Sequence, residues 1–172
     1  MTRARTSAVQ AEIRQSRPFR SRKQEATIAL LRTASVVGRS LARVLEPWAL
    51  SLAQYNALRI IRGAGVAGIA TLAIRERMIE EGTTITRILD KLEESGYVRR
   101  ERSTPDRRQV MCIATAEGRK LLDKIDPIVD AADEEVVASL AARDLDRLVT
   151  LLDAIRAANA ERGAPRTMVR GE

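Results

Sequence analysis

Two short helical patterns, joined by a turn that contains glycine, constrain most strongly how this chain can fold. Apolar residues recur at helical spacing over residues 69–79 and again over 84–95, with Gly82 between the two segments. Thr83 can cap the second helix, and Gly96 follows it where a left-handed C-terminal cap belongs. Four residues are expected inward on the second helix: Ile85, Ile88, Leu89 and Leu92. This spacing predicts a helix-turn-helix arrangement.

A β-hairpin pattern follows the second helix directly. Residues 97–102 and 107–113 have the composition of strands, and Pro105 and Asp106 mark the turn between them. Arginine is concentrated on this hairpin and is opposed there by Glu101 and Asp106: the arginines are Arg99, Arg100, Arg102, Arg107 and Arg108. So many cations on one short element repel one another unless a polyanion lies nearby. Asp106 could hold the Arg108 guanidinium in an orientation suited to a narrow minor groove of DNA. The alternative is a solvated, charged hairpin that prevents edge aggregation.

Further helical patterns flank this segment on both sides. The sequence predicts them over residues 25–45, from about 51 to 62, over 116–140 and over 142–160. Ser51 and Gln54 form a capping box at the start of one, and Pro127 should kink another rather than end it. The predicted fold class is mainly α with a small β-hairpin wing (α+β), a winged helix-turn-helix flanked by N- and C-terminal helices.

The net charge of +7 is concentrated near the N-terminus. Residues 1–24 carry seven basic groups against one acidic group, and residues 161–172 carry a net charge of +1, so the segment between them is neutral. We expect residues 1–24 to form a disordered basic arm and residues 161–172 a flexible tail. The arm could serve a polyanionic partner or be merely solvated. The Arg-rich, acid-poor composition of residues 1–24 superficially resembles a transit peptide. We prefer the interpretation as a basic arm on a cytoplasmic protein.

The residue inventory excludes several classes of function. The chain has no histidine, so Ser-His-Asp and Cys-His catalysis and histidine-containing zinc sites are ruled out. Cys112 is the one cysteine, which excludes an internal disulfide and an all-cysteine zinc site, and we expect it in the core. No phosphate-binding glycine motif and no apolar run of about 18 residues occurs. We therefore expect no enzyme activity, no metal, no cofactor and no membrane partner.

From about residue 51 to 122 the sequence resembles the MarR family of winged-helix transcriptional regulators. Four pieces carry the resemblance, in the family's order: Ser51–Tyr55 with Leu58, Ile85–Glu93 with Gly96–Arg100, Asp106–Arg108, and Ile113–Thr115 with Gly118 and Leu121–Leu122. Ala114 departs from the pattern, since the family usually has a bulky aliphatic residue there, so the wing base could pack differently. The resemblance implies a regulator domain over about 25–160. Its DNA-binding lobe would span about 51–115, and its dimerisation helices about 25–45 and 116–160.

On this resemblance, the second helix of the helix-turn-helix is the DNA recognition helix. Its outward candidates are Thr83, Thr84, Thr86, Arg87 and Lys91. An α-helix fits the major groove, arginine suits guanine, and threonine suits phosphates or thymine methyl groups. The candidates on the wing are Arg102, Asp106, Arg107 and Arg108. The alternative is an amphipathic helix with an ordinary polar face.

The flanking helices carry apolar residues that the DNA-binding lobe is too small to cover. The resemblance implies a homodimer, for which the candidate interface residues are Ile28, Leu31, Leu41, Leu145, Leu148, Leu152 and Ile155. Family members often release DNA when a small anionic or phenolic ligand binds between the dimer region and the DNA-binding lobe. Trp48 and Tyr55 lie near that place and Arg39 could supply a cation, although core packing is the simpler interpretation of the two aromatic residues.

The sequence therefore predicts a cytoplasmic, homodimeric, sequence-specific DNA-binding regulator. Its partners would be a pseudo-palindromic site on double-stranded DNA, a second copy of itself and a small aromatic or anionic effector that relieves repression. The alternative is an architectural DNA-binding protein with weak base readout. Two further classes of function are less well supported by the sequence. One is a winged-helix module that binds other proteins, and the other is an enzyme.

Overall fold

The structure, a computed structural model, describes residues 7–80, 84–103 and 109–163. The chain divides into two compact units between residues 133 and 134. The described helices of the first unit are α1 (Ala8–Glu12), α2 (Arg22–Leu45), α3 (Leu52–Gly63), α4 (Thr71–Arg77), α5 (Ile85–Glu94) and most of α6 (Ala116–Val137). Its described strands are β1 (Ile69–Ala70), β2 (Val98–Arg102) and β3 (Val110–Ala114). The second unit contains the end of α6 and helix α7 (Ala142–Gly163).

The fold class is the predicted one, a mainly helical chain with a small antiparallel sheet. Helices α4 and α5 form the helix-turn-helix, β2 and β3 form the base of the hairpin, and α6 continues through Pro127 as expected. The sheet has a third strand that the sequence analysis missed. Its order is β1-β3-β2, with Ile69 paired to Cys112. Residues 69–70 form β1 and are not the start of the helix expected over 69–79, which spans Thr71–Arg77 instead. Two residues are too few to show an alternating pattern, so the sequence does not indicate this strand.

The N-terminal region differs from the expected disordered arm. Helix α2 begins at Arg22 rather than at residue 25, because the Ser21 hydroxyl caps it by accepting the Gln24 N–H at 3.1 Å. Helix α1 precedes it, inside the segment expected to be disordered. Glu12 at the end of α1 pairs with Arg32 of α2 at 3.2 Å. The arm is therefore helical over part of its length and tied to α2.

The core of the first unit is built around α3 and α5. Residues from five helices are fully buried in it, among them Leu45, Leu58, Ile61, Ile74, Leu89, Leu92, Leu122 and Ile125. Burying one such side chain contributes about 1.5–3 kcal/mol to folding. Ala114, where the sequence departs from the family pattern, is buried at the end of β3. The apolar face of α5 is thus held in the core, and its other face is left to solvent.

A tight junction connects α5, the hairpin and α6. Gly96 adopts a left-handed conformation with φ of 74° and ends the α5 turn. The Thr115 hydroxyl donates to the Gly96 carbonyl at 2.7 Å and accepts the Gly118 N–H at 3.0 Å. The Thr115 N–H donates to the Tyr97 carbonyl at 3.0 Å. These bonds fix the base of the hairpin against the first turn of α6.

Candidate nucleic-acid interface

Helix α5 has one buried and one exposed face, as its spacing predicts. The inward residues are at most 9% exposed: Ile85, Ile88, Leu89 and Leu92. The N-cap of the helix is Thr84, rather than the expected Thr83, and the Thr84 carbonyl accepts the Arg87 N–H at 3.1 Å. The side chains of Thr84, Thr86, Arg87 and Lys91 are exposed. The predicted recognition residues that the structure describes therefore share the surface of one helix.

Arg87 and Lys91 are one helical turn apart and carry unneutralised charge. Neither forms an ion pair with a carboxylate among the residues that the structure describes. Like charges at this spacing repel each other, so the pair slightly destabilises the helix. A polyanion placed against this face would remove that cost.

A cleft of about 530 Å³ lies between this helix and the start of α3, and Ser51, Gln54, Arg87, Ile88 and Lys91 contribute to its lining. Ser51 and Gln54 form the predicted capping box. The Ser51 N–H donates to Gln54 Oε1 at 2.8 Å, and the Gln54 N–H donates to Ser51 Oγ at 3.2 Å. The first turn of α3 therefore borders the same groove as the cationic residues of α5.

The structure corrects the interpretation of the hairpin arginines as a cluster that awaits a polyanion. Arg99 forms an ion pair with Glu101 on its own strand. Arg100 is paired with carboxylates of α5. Arg102 lies exposed at the end of β2 and has no carboxylate partner within the described ranges. Arg102 is also the one of these three arginines that the sequence analysis names as a candidate for DNA contact.

The Arg100 guanidinium is held by two acidic residues of α5. Its Nε donates to Glu93 Oε2 at 2.7 Å, and its Nη2 contacts the same oxygen and Asp90 Oδ1, the latter at 2.7 Å. The backbone N–H of Arg100 donates to Glu93 Oε1 at 3.1 Å. The hydrogen bonds from Arg100 hold the pKa of Glu93 below its ordinary value, and those carboxylates raise the pKa of Arg100. We call these contacts of Arg100 with Glu93 and Asp90 the clamp. Neither spacing nor composition indicates it, although Glu93 and Arg100 both fall in segments that carry the family resemblance.

Several candidates fall outside the described residues, namely Thr83, Asp106, Arg107 and Arg108. The proposed fork between Asp106 and Arg108 stays a prediction for this reason. The expected tail over 161–172 has no described side chains.

Tyr55, a candidate effector residue, is 3% exposed and bonded within the core. Its hydroxyl donates to Asp126 Oδ1 at 2.8 Å, and Arg62 Nη2 donates to Asp126 Oδ2 at 2.6 Å. Burial and the Asp126 carboxylate raise the pKa of the Tyr55 hydroxyl. The guanidinium of Arg59 lies 5.5 Å from the centre of the ring. This network joins α3 to α6, so Tyr55 has a structural role whether or not it contacts a ligand.

Among the described residues, no hydrogen bond or ion pair joins the other two effector candidates to this network. Trp48 is half-buried and packs against the core from a short 3₁₀ helix, Glu46–Trp48. Arg39 lies on α2, and its guanidinium donates to Ser35 Oγ at 2.6 Å. Their role in ligand binding therefore stays a prediction.

The candidate dimer residues retain exposed apolar surface. Leu31 on α2 is 62% exposed, and Leu148 and Ile155 on α7 are 38% and 45% exposed. The remaining candidates are half-buried: Ile28, Leu41, Leu145 and Leu152. Further large apolar side chains on these helices are exposed: Leu30, Val36, Val149 and Leu151. An apolar patch marks an interface when its side chains are contiguous, so the dimer interface stays a prediction.

Three further features of the described residues concern other kinds of site: the one cysteine, possible metal sites and possible membrane spans. Cys112 is fully buried, and burial raises the pKa of its thiol, in keeping with the expected core role. The described residues contain no group of three or more acidic or cysteine side chains that could hold a metal ion. No helix in this part of the chain is both long and apolar enough to cross a membrane.

Comparison with known proteins identifies the family. The family model described as MarR family matches residues 50–110. Transcriptional regulator HosA of Escherichia coli O157:H7 is 35% identical over 103 residues, which are 60% of this chain and 75% of that protein. The transcriptional repressor Rv2887 of Mycobacterium tuberculosis is 29% identical over 126 residues, which are 72% of this chain and 89% of that protein.

A solved structure extends the likeness to the fold. The crystal structure of CouR from Rhodococcus jostii RHA1, bound to p-coumaroyl-CoA, aligns with a TM-score of 0.68 and 25% identity. The alignment covers 80% of this chain and 95% of CouR. Together with the helix-turn-helix, the hairpin and the exposed cationic face of α5, these matches show that the chain belongs to the MarR family of DNA-binding, winged-helix transcriptional regulators.

Proposed function

We propose that this chain is a cytoplasmic, homodimeric repressor that binds a pseudo-palindromic operator and leaves it when a small molecule binds. One observation carries the DNA-binding part of the proposal. The outward face of α5 bears two cations without carboxylate partners among the described residues, Arg87 and Lys91, while its other face is locked into the core.

In this proposal α5 enters the major groove. Arg87 lies in its first turn, from which a recognition helix reaches base edges, so it is the candidate for reading guanine. Lys91, one turn further on, is suited to a phosphate, and Thr84 and Thr86 are suited to phosphates or thymine methyl groups. The wing, with Arg102 and the segment Asp106–Arg108, would follow the adjacent minor groove.

We further propose that residues 51–115 form the DNA-binding lobe and that 25–45 and 116–160 supply the dimer interface. The exposed apolar side chains of α2 and α7 support this division. A two-fold dimer would place two copies of α5 about one helical turn of DNA apart, roughly 34–36 Å.

The ligand part of the proposal concerns a small aromatic or anionic molecule. CouR is described in complex with p-coumaroyl-CoA, which contains both kinds of group. Trp48, Tyr55 and Arg39 are our candidates for contacting such a molecule. Release by a ligand requires that the ligand bind the DNA-free conformation more tightly than the DNA-bound one. The first experiment adds p-coumaroyl-CoA to the operator complex and measures whether the DNA is released.

The DNA-binding proposal is tested by selecting bound sequences from a random DNA pool at about 150 mM salt, where non-specific phosphate binding is weakened. The intact chain is compared with Arg87→Ala. Lys120→Ala on α6 is the control, because it removes an exposed cation that is neither a candidate for DNA contact nor one of the candidate dimer residues. We expect an enriched inverted repeat with the intact chain and the control, and weaker, less selective binding with Arg87→Ala. Absence of enrichment would instead favour the architectural alternative.

A further inference from the structure

We propose that Glu93 is a positioning residue for DNA binding, which orients the recognition helix against the wing through its contacts with Arg100. The proposal rests on the proposed DNA interface of α5. It gives a role to an acidic side chain on an element that must approach a polyanion.

The geometry of the clamp supports this role. Glu93 accepts hydrogen bonds from both the guanidinium and the backbone N–H of Arg100, so it contacts β2 at two points. Asp90, one turn earlier on α5, contacts the same guanidinium. The Arg100 side chain is 26% exposed, and that of Glu93 is 38% exposed. Partial burial and charge make these hydrogen bonds stronger than neutral ones at the surface.

The clamp fixes the rotation of α5 over the core, which burial of its apolar face cannot fix alone. Hydrophobic burial is non-directional, so it tolerates a small rotation or shift of a helix over the core. A guanidinium bonded to carboxylates has a fixed geometry and resists such a shift. The Glu93–Arg100 contact therefore sets the rotation of α5, and with it the direction of Arg87 and Lys91.

The same contact relates the helix to the wing. Arg100 and Arg102 are two residues apart on β2, so they project from the same face of the strand. A clamp at Arg100 thereby fixes the position of α5 relative to Arg102. Simultaneous contact with a major groove and the neighbouring minor groove needs this relation to be constant.

A test follows from the sign of the charge. If Glu93 is only a surface acid near DNA, Glu93→Gln removes repulsion and strengthens binding to every sequence. If Glu93 is a positioning residue, Glu93→Gln weakens binding to the selected operator by about ten-fold, comparable with the loss of one base contact. Affinity for random DNA should then stay the same or increase.

Glu94 provides a matched control. It is the next residue on α5, is exposed, and has no partner among the described residues. Glu94→Gln should leave operator binding unchanged or strengthen it. Operator and random-DNA affinities are measured for both variants from about 50 to 200 mM salt, with circular dichroism melts to confirm folding. Equal behaviour of the two variants would overturn the proposal.

Arg100→Lys is a second variant in case Glu93→Gln does not fold. It keeps the charge but loses the planar fork, so we expect operator binding to fall while the salt dependence stays the same. Operator affinity equal to that of the intact chain would contradict a positioning role, because a lysine then serves as well as the planar fork of arginine. If Arg87→Ala and Lys91→Ala also bind normally, the proposed DNA interface fails instead.

Discussion

At the scale of single residues, Gly118 shows how one absent methyl group allows the hairpin and α6 to meet. A Cβ built at Gly118 would lie 2.2 Å from the carbonyl oxygen of Tyr97, which is backbone and cannot turn aside. Alanine normally favours a helix over glycine by about 1 kcal/mol. Helix propensity and packing therefore oppose each other at this position, and packing decides.

We expect Gly118→Ala to lower the free energy of unfolding by about 1–3 kcal/mol, because the backbone must shift to accept the methyl group. Urea denaturation measures the change. Gly63→Ala is the control, since a Cβ at the end of α3 meets nothing within 4 Å. It should leave the free energy of unfolding unchanged or raise it by up to about 1 kcal/mol, because alanine fits the helix without a clash. Equal losses in both variants would show that the contact with Tyr97 is not the cause.

At the scale of secondary structure elements, local signals were sufficient for most of the fold. The spacing of Ile85, Ile88 and Leu92 correctly predicted the buried face of α5, because a helix repeats every 3.6 residues. Helix starts are also local. Ser21 and Gln24 repeat the Ser51–Gln54 pattern, so the start of α2 at Arg22 could have been predicted from the same rule.

The candidate interface was less predictable because pairing across elements is not local. Composition groups Arg100 with the other arginines of the hairpin, and only the folding of β2 against α5 brings it to Glu93. The sequence offers several acidic partners for each hairpin arginine, and no spacing rule chooses between them. The helical spacing therefore predicts that Arg87 is exposed. Only the structure shows that Arg87 has no carboxylate partner among the described residues.

The contact between α3 and α6 leads to a prediction about alkaline pH. Burial and Asp126 raise the pKa of Tyr55 in the folded chain, so the folded chain holds this proton more tightly than the unfolded chain does. The resulting stability is fully present below about pH 10, the ordinary pKa of tyrosine, and decreases as the pH rises above it.

Tyr55→Phe keeps the ring but removes the proton and the hydrogen bond to Asp126. We expect it to lower the free energy of unfolding by about 0.5–1.5 kcal/mol at pH 7. Between about pH 10 and 11 its stability should decrease less steeply than that of the unmodified chain. Urea denaturation at a series of pH values measures both effects, and parallel pH profiles would refute the role assigned to the Tyr55 hydroxyl.

At the scale of the whole molecule, the uneven charge distribution predicts a contribution from the N-terminal segment to DNA binding. Three exposed arginines lie in the segment between α1 and α2: Arg14, Arg17 and Arg20. Changing all three to alanine should lower affinity for operator and random DNA by the same factor, since phosphate contacts carry no sequence information.

The slope of log affinity against log salt should become shallower by about 0.9 for each lost phosphate contact. Filter binding or fluorescence anisotropy with both DNAs measures affinity and slope together. A loss confined to the operator would mean that these arginines read bases or shape, and an unchanged slope would mean that they do not reach the phosphates.

The central position of β3 in the sheet has a consequence for how members of such a family can diverge. Met111 and Cys112 are paired with β1 on one side and with β2 on the other, whereas the open end of the hairpin begins at Arg102 and Val110. Doubling the length of a connection beyond that end costs only about 0.6 kcal/mol in closure entropy. Insertions or deletions near residues 104–108 should therefore be tolerated at small cost to stability, and on the proposed DNA interface they would change the reach of the wing while leaving the pairing of β3 with β1 and β2 intact.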